Sequence, residues 1–191
     1  MRSIVVAALL AASTATPALA QDASGRAPFT GPRVEGLVGW DRVSNNGHDD
    51  AVAYGIGAGY DFQTGMGLVG IEAEASDSTA KACAGSATAA DPRLCAKAGR
   101  DLYVGGRIGT VVGDRTLLYA KAGYTNARAK GTLDDGTTVV RGSRKFDGYR
   151  VGAGAEYAVG PNAFVKAEYR YSNYEQGFSR NQVLAGFGFR F

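Results

Sequence analysis

The chain has 191 residues, with 21 Lys and Arg against 18 Asp and Glu, one His, two Cys and a formal charge of +3. That balance is too weak to mark a nucleic-acid ligand or a strongly anionic partner. His48 as the only histidine, beside a single cysteine pair, is too little for a zinc site, and no cofactor motif is present.

Residues 1–20, MRSIVVAALLAASTATPALA, place Arg2 before an apolar run over 4–12 and finish on Ala18-Leu19-Ala20. This is the pattern of a secretory signal peptide with an A-x-A cleavage site, because the apolar run is too short to cross a bilayer. Cleavage after Ala20 takes twenty residues from 191, leaving 171 for one domain, and the loss of Arg2 lowers the charge to +2. Residues 21–32, QDASGRAPFTGP, read as a flexible periplasmic leader.

Beyond the leader, no stretch keeps a helical period, and no apolar run approaches the roughly 20 residues of a transmembrane helix. Alternation recurs instead, in eight segments over 33–43, 51–62, 67–76, 100–112, 116–126, 147–158, 164–173 and 181–191. Gly, Asn, Asp and Pro clusters bound them, so each reads as a strand. The connections 63–66, 113–115 and 159–163 are short, whereas 44–50, 77–99, 127–146 and 173–180 are longer. Strict alternation of long and short connections is the asymmetry of outer-membrane barrels, with short periplasmic turns and long outer loops. The first strand then runs outward and both chain ends lie on the periplasmic side.

One face of the strands carries no charge: Val38, Trp40, Ile56, Tyr60, Phe62, Ile71, Val104, Ile108, Tyr124, Tyr149, Val151, Tyr157, Tyr169 and Phe187 are among its members. The other holds eight acids (Glu35, Asp41, Asp61, Glu72, Glu74, Asp101, Glu156, Glu168) and six bases (Arg107, Lys121, Arg150, Lys166, Arg170, Arg190), interleaved with glycines. A soluble barrel would turn the apolar face inward. Three features argue for the reverse. Aromatics gather near strand ends like interfacial girdles. Glycines share the charged face, where long side chains need room. The apolar set would overfill an eight-stranded interior.

The pattern resembles the small outer-membrane β-barrels of Gram-negative bacteria: the OmpA-like transmembrane domain and, more nearly, the alphaproteobacterial 25/31-kDa outer-membrane protein family, porin-like barrels among them. The motifs that carry the resemblance are the closing V-x-A-x-F-x-F-x-F, the segment 34–40 (VEGLVGW) and the segment 149–157 (YRVGAGAEY). The resemblance implies an all-β, eight-stranded antiparallel up-and-down transmembrane barrel over 33–191, exposed loops, and recognition of Phe187, Phe189 and Phe191 by the barrel-assembly machinery. No peptidoglycan-binding domain follows the barrel, so a wall-anchoring role is not expected.

Function then turns on the lumen and the loops. Eight strands leave an interior just wide enough for side chains, so the charges should pair into a polar plug, with a narrow path for ions or small solutes as the alternative. Wide diffusion porins need about 16–18 strands. A lipid-modifying enzyme would need an activated nucleophile. His48 sits in an expected loop beside Asp49 and Asp50, with no serine accompanying it on a strand face. Cys83 and Cys95, in an exported chain, should form a disulfide. The loop 127–146, with Arg128, Lys130, Arg141, Arg144 and Lys145 against Asp134 and Asp135, would suit lipopolysaccharide phosphates, and its Asp135-Gly136 step suits a hairpin turn. Any surface ligand beyond these is unknown from sequence.

Overall fold

A computed structural model describes residues 29–44, 48–175 and 178–191, so the signal segment and most of the leader lie outside the described residues. The strands are β1 (Gly31–Ser44), β2 (His48–Thr64), β3 (Gly67–Ser78), β4 (Lys81–Ala84), β5 (Arg93–Val112), β6 (Thr116–Asp134), β7 (Val139–Ala158), β8 (Ala163–Tyr174) and β9 (Phe178–Arg190). All pairings are antiparallel between chain neighbours, except that β3 pairs β5 and β1 pairs β9. Those two ladders close eight strands into a ring, and closure removes every edge from the wall. The short β4 stands outside the ring, paired with the start of β5.

Two of the three short turns place a glycine in the left-handed region, Gly65 at φ 60° and Gly113 at φ 68°, where a Cβ would be strained. At the opposite end the strands run further than alternation suggests. The expected loops 44–50 and 173–180 are mostly ladder, and β6 and β7 pair as far as Asp134 and Val139. The physical reason is that lipid imposes an apolar face only across the membrane. Above it both faces meet water, and the backbone ladder continues without the alternation that revealed it.

The wall is inverted relative to a soluble barrel. Ile71 is 70% exposed on the outside, and Trp40, Tyr60, Phe62, Tyr124, Tyr149 and Tyr157 are exposed around the two rims. Charged side chains fill the inside. The leader departs from expectation at its end, because Gly31 and Pro32 already belong to β1. Phe29 is fully buried beside Leu68, Val111, Leu117, Tyr119 and Ala158, where an apolar ring stops the short-turn end of the barrel.

Candidate functional site

Alternate positions on each strand turn inward, and all fourteen charged residues assigned to that face are buried there. Two more join them. Arg33 and Arg180 are also buried, so the described lumen holds eight acids and eight bases. Charge neutrality is what a low-dielectric interior demands, since an unpaired buried charge is costly.

The pairs form one connected network. Near the apolar ring, Asp61 accepts from Arg33 Nε at 3.1 Å, Arg107 Nε at 2.7 Å and Arg190 Nη2 at 3.0 Å. Arg190 also meets Glu156 at 2.8 Å, while its guanidinium lies 5.3 Å from the Phe29 ring and 5.2 Å from that of Phe164. Arg33 reaches onward to Glu35 at 3.0 Å and to Glu72. At mid-height, Lys121 sits among Glu72 at 2.7 Å, Glu74 and Glu168 at 3.1 Å. Lys166 bridges Glu35 at 2.7 Å to Glu168 at 3.2 Å. Arg170 meets Glu74 at 2.6 Å and takes Gln182 as a second acceptor at 2.7 Å. Towards the far end, Arg150 links Glu74 at 3.5 Å to Asp101, and Arg180 links Asp101 at 3.1 Å to Asp41.

Tyrosines brace this network. Tyr119 donates to Glu168 at 2.7 Å and Tyr174 donates to Asp101 at 2.7 Å. The Tyr103 ring lies 4.7 Å from Lys121 Nζ and 5.2 Å from the Arg150 guanidinium. Glycine makes room for them: a Cβ on Gly154 would stand 2.6 Å from the Tyr119 hydroxyl, and one on Gly57 would stand 2.8 Å from Glu35 Oε1. Arg33, Arg180 and the three tyrosines escaped the sequence reading. Strand phase was the signal that could have found them, since Tyr103 shares the parity of Asp101 and Arg107, and Tyr119 that of Lys121.

The family of outer membrane protein beta-barrel domains matches residues 4–191. The chain belongs to that family. Its place is therefore the cell outer membrane. This outer-membrane barrel is similar to the 31 kDa outer-membrane immunogenic protein of Brucella melitensis, at 32% identity over 62% of this chain and 52% of that protein. It is also similar to the 22 kDa outer membrane protein of Rhizobium leguminosarum, at 30% identity over 74% of this chain and 69% of that one. The chain spans about half the length of the Brucella relatives it matches. Among solved structures, Ail of Yersinia pestis has the same fold, with TM-score 0.60 and 17% identity over 85% of this chain and all of that one. Neisserial surface protein A gives TM-score 0.57 and 18% identity over 85% of this chain and 98% of that one.

In the outer-membrane barrel the long hairpins stand at the end opposite the short turns. Cys83 and Cys95 oppose each other across β4 and β5 with Cα atoms 4.1 Å apart and are disulfide-bonded. At the β6–β7 tip, Asp135 accepts from the backbone N–H of Thr138 at 2.6 Å and of Thr137 at 2.9 Å, which holds its carboxyl below the ordinary range. His48 opens β2 opposite Ser44, so a serine does stand across the ladder from it; both side chains lie outside the described residues. Asp50 instead takes Trp40 Nε1 at 3.1 Å and Arg42 Nε at 2.9 Å. Among the described residues no cluster of His, Cys, Asp and Glu is placed to ligate a metal. Phe187, Phe189 and Phe191 line the lipid face, the first two edge-to-face at 5.1 Å between centroids.

Proposed function

We propose that this outer-membrane barrel is a closed structural and surface element, neither a conducting pore nor an enzyme. One observation carries the reading: none of the sixteen charged lumen residues is more than 6% exposed. A passage wide enough for water would leave accessible surface on the side chains that line it. The apolar ring around Phe29 adds a stop at the periplasmic mouth. The lumen carboxylates are engaged by Arg or Lys, which argues against an acid or base held ready for catalysis. The name that the Brucella relatives carry, outer-membrane immunogenic protein, supports a surface role for the exposed hairpins here. Lipid contact by the outer wall, and recognition of the Phe187, Phe189 and Phe191 row by the assembly machinery, complete the proposed partners.

Solute flux tests the reading. Vesicles carrying the refolded chain should hold a K⁺ gradient as long as protein-free vesicles do; rapid collapse would overturn it. Lipid A mass spectra should be identical with and without expression, and a new lipid species would restore the enzyme reading.

A further inference from the structure

The extracellular sheet formed by β4 and the upper parts of β5, β6 and β7 has two unlike faces. Residues directly opposed across an antiparallel ladder share a face. The register sets Lys81 opposite Lys97 and Lys97 opposite Lys130, a row of three ammonium groups across three adjacent strands. One step nearer the membrane, Arg128 stands opposite Lys145. Like charges facing each other across a ladder destabilise it, so a sheet with no counter-ion gains nothing from this arrangement. None of Lys81, Lys97 and Lys130 pairs with a carboxylate among the described residues, and all three are exposed. The other face of the same hairpin carries Ala129, Gly131 and Leu133 on β6, with Arg144 opposite Ala129 and Val140 opposite Leu133 on β7.

Position identifies the counter-ion. β6 runs without a register break against β7, so Arg128 and Lys130 share the face of Tyr124, Ala122 and Leu118, which is the lipid face. They lie four and six residues beyond Tyr124. At about 3.4 Å per residue and a tilt of about 40°, that is about 10 and 16 Å above the aromatic girdle. A cationic wall at that height stands beside the headgroups of the surrounding outer leaflet, not over the barrel mouth. The Cys83–Cys95 disulfide, on the same face and one step from Lys81 and Lys97, pins β4 to β5 and fixes the row.

We propose that Lys81, Lys97 and Lys130, with Arg128 and Lys145 below them, bind phosphate groups of the outer-leaflet glycolipid. Binding relieves the cross-strand repulsion and exchanges it for charge-assisted hydrogen bonds to phosphate oxygens. The site is a lateral lipid anchor, independent of whether the lumen conducts.

The test titrates the refolded full chain in zwitterionic micelles with bisphosphorylated lipid A, with dephosphorylated lipid A, and with inorganic pyrophosphate. The triple variant K81Q/K97Q/K130Q should bind the phosphorylated lipid about tenfold more weakly, the loss expected from three exposed charge contacts. Removing the lipid phosphates should weaken the wild type to a similar degree. K81R/K97R/K130R should retain binding, and Arg115→Gln, in a periplasmic turn, should leave it unchanged. Heat-modifiable gel mobility certifies that each variant is folded. The proposal is overturned if the folded triple variant binds like wild type, if the wild type ignores the lipid phosphates, or if pyrophosphate binds as tightly as the lipid.

Discussion

Replacing Asp61 by Asn removes the carboxylate on which Arg33, Arg107 and Arg190 converge. The variant leaves eight bases facing seven acids among the described lumen residues. Each contact near 3 Å represents about 5 kcal/mol of gross attraction at an effective dielectric of about 20. Desolvation and repulsion among the three guanidiniums offset most of it. Breaking a buried pair on one side has a net cost of about 3–5 kcal/mol, and we expect D61N to fall in that range. Urea unfolding in lipid vesicles, followed by the fluorescence of Trp40, the only tryptophan, reports the loss. The double variant D61N/R107Q restores the charge balance, so its cost should fall short of the sum of the single costs by about 1–3 kcal/mol. A D61N cost under about 1 kcal/mol, or strict additivity in the double, would refute the view that the lumen is held by paired charge.

Four further outcomes follow from other parts of the molecule. Ile56→Arg, near the middle of the lipid belt on β2, should cost about 2–4 kcal/mol, whereas Met66→Arg in the short β2–β3 turn should be nearly neutral; vesicle unfolding midpoints separate them. Gly154→Ala drives a Cβ against Tyr119 and should cost about 1–3 kcal/mol, while Gly142→Ala, with nothing within 4 Å of the added carbon, should not measurably destabilise the fold. In an NMR titration, Asp135 should protonate below the usual aspartate range. Its folded value is depressed, so its contribution to the β6–β7 tip is present above the ordinary carboxylate value and is lost as pH falls through the lowered one. Phe191→Asp should lower outer-membrane yield far more than the unfolding midpoint of barrel already assembled; equal yield would remove Phe191 from the proposed assembly signal.

What alternation could show is what lipid imposes. Across the membrane a side chain faces either hydrocarbon or lumen, and that choice made Glu35, Lys121, Arg150 and Glu168 legible from parity alone. Where the constraint weakens, so did the reading. Arg33 opens the segment 33–43 at the parity of Glu35 but borders Gly31 and Pro32, at the expected start of the strand, and Arg180 sits in a polar string, Ser179-Arg180-Asn181-Gln182, that resembles a loop. Both are lumen bases, and without them the interior looks acidic by two. Tyr119 and Tyr174 were hidden because tyrosine suits either an interfacial girdle or a hydrogen-bonded lumen, so residue type did not decide between them. The β6–β7 extension was hidden because a ladder in water needs no apolar face. The Asp135-Gly136 step pointed to its turn, but nothing in the composition of 127–146 fixed the register that lines up Lys97 with Lys130.

Single-channel recording of the refolded full chain in a planar bilayer reads the proposed closed lumen itself. A flat trace is expected at applied voltages that leave the bilayer intact, with openings only after the network is broken, as in D61N. Stable conductance steps in the wild type, altered by neutralising Arg107 or Lys121, would contradict it.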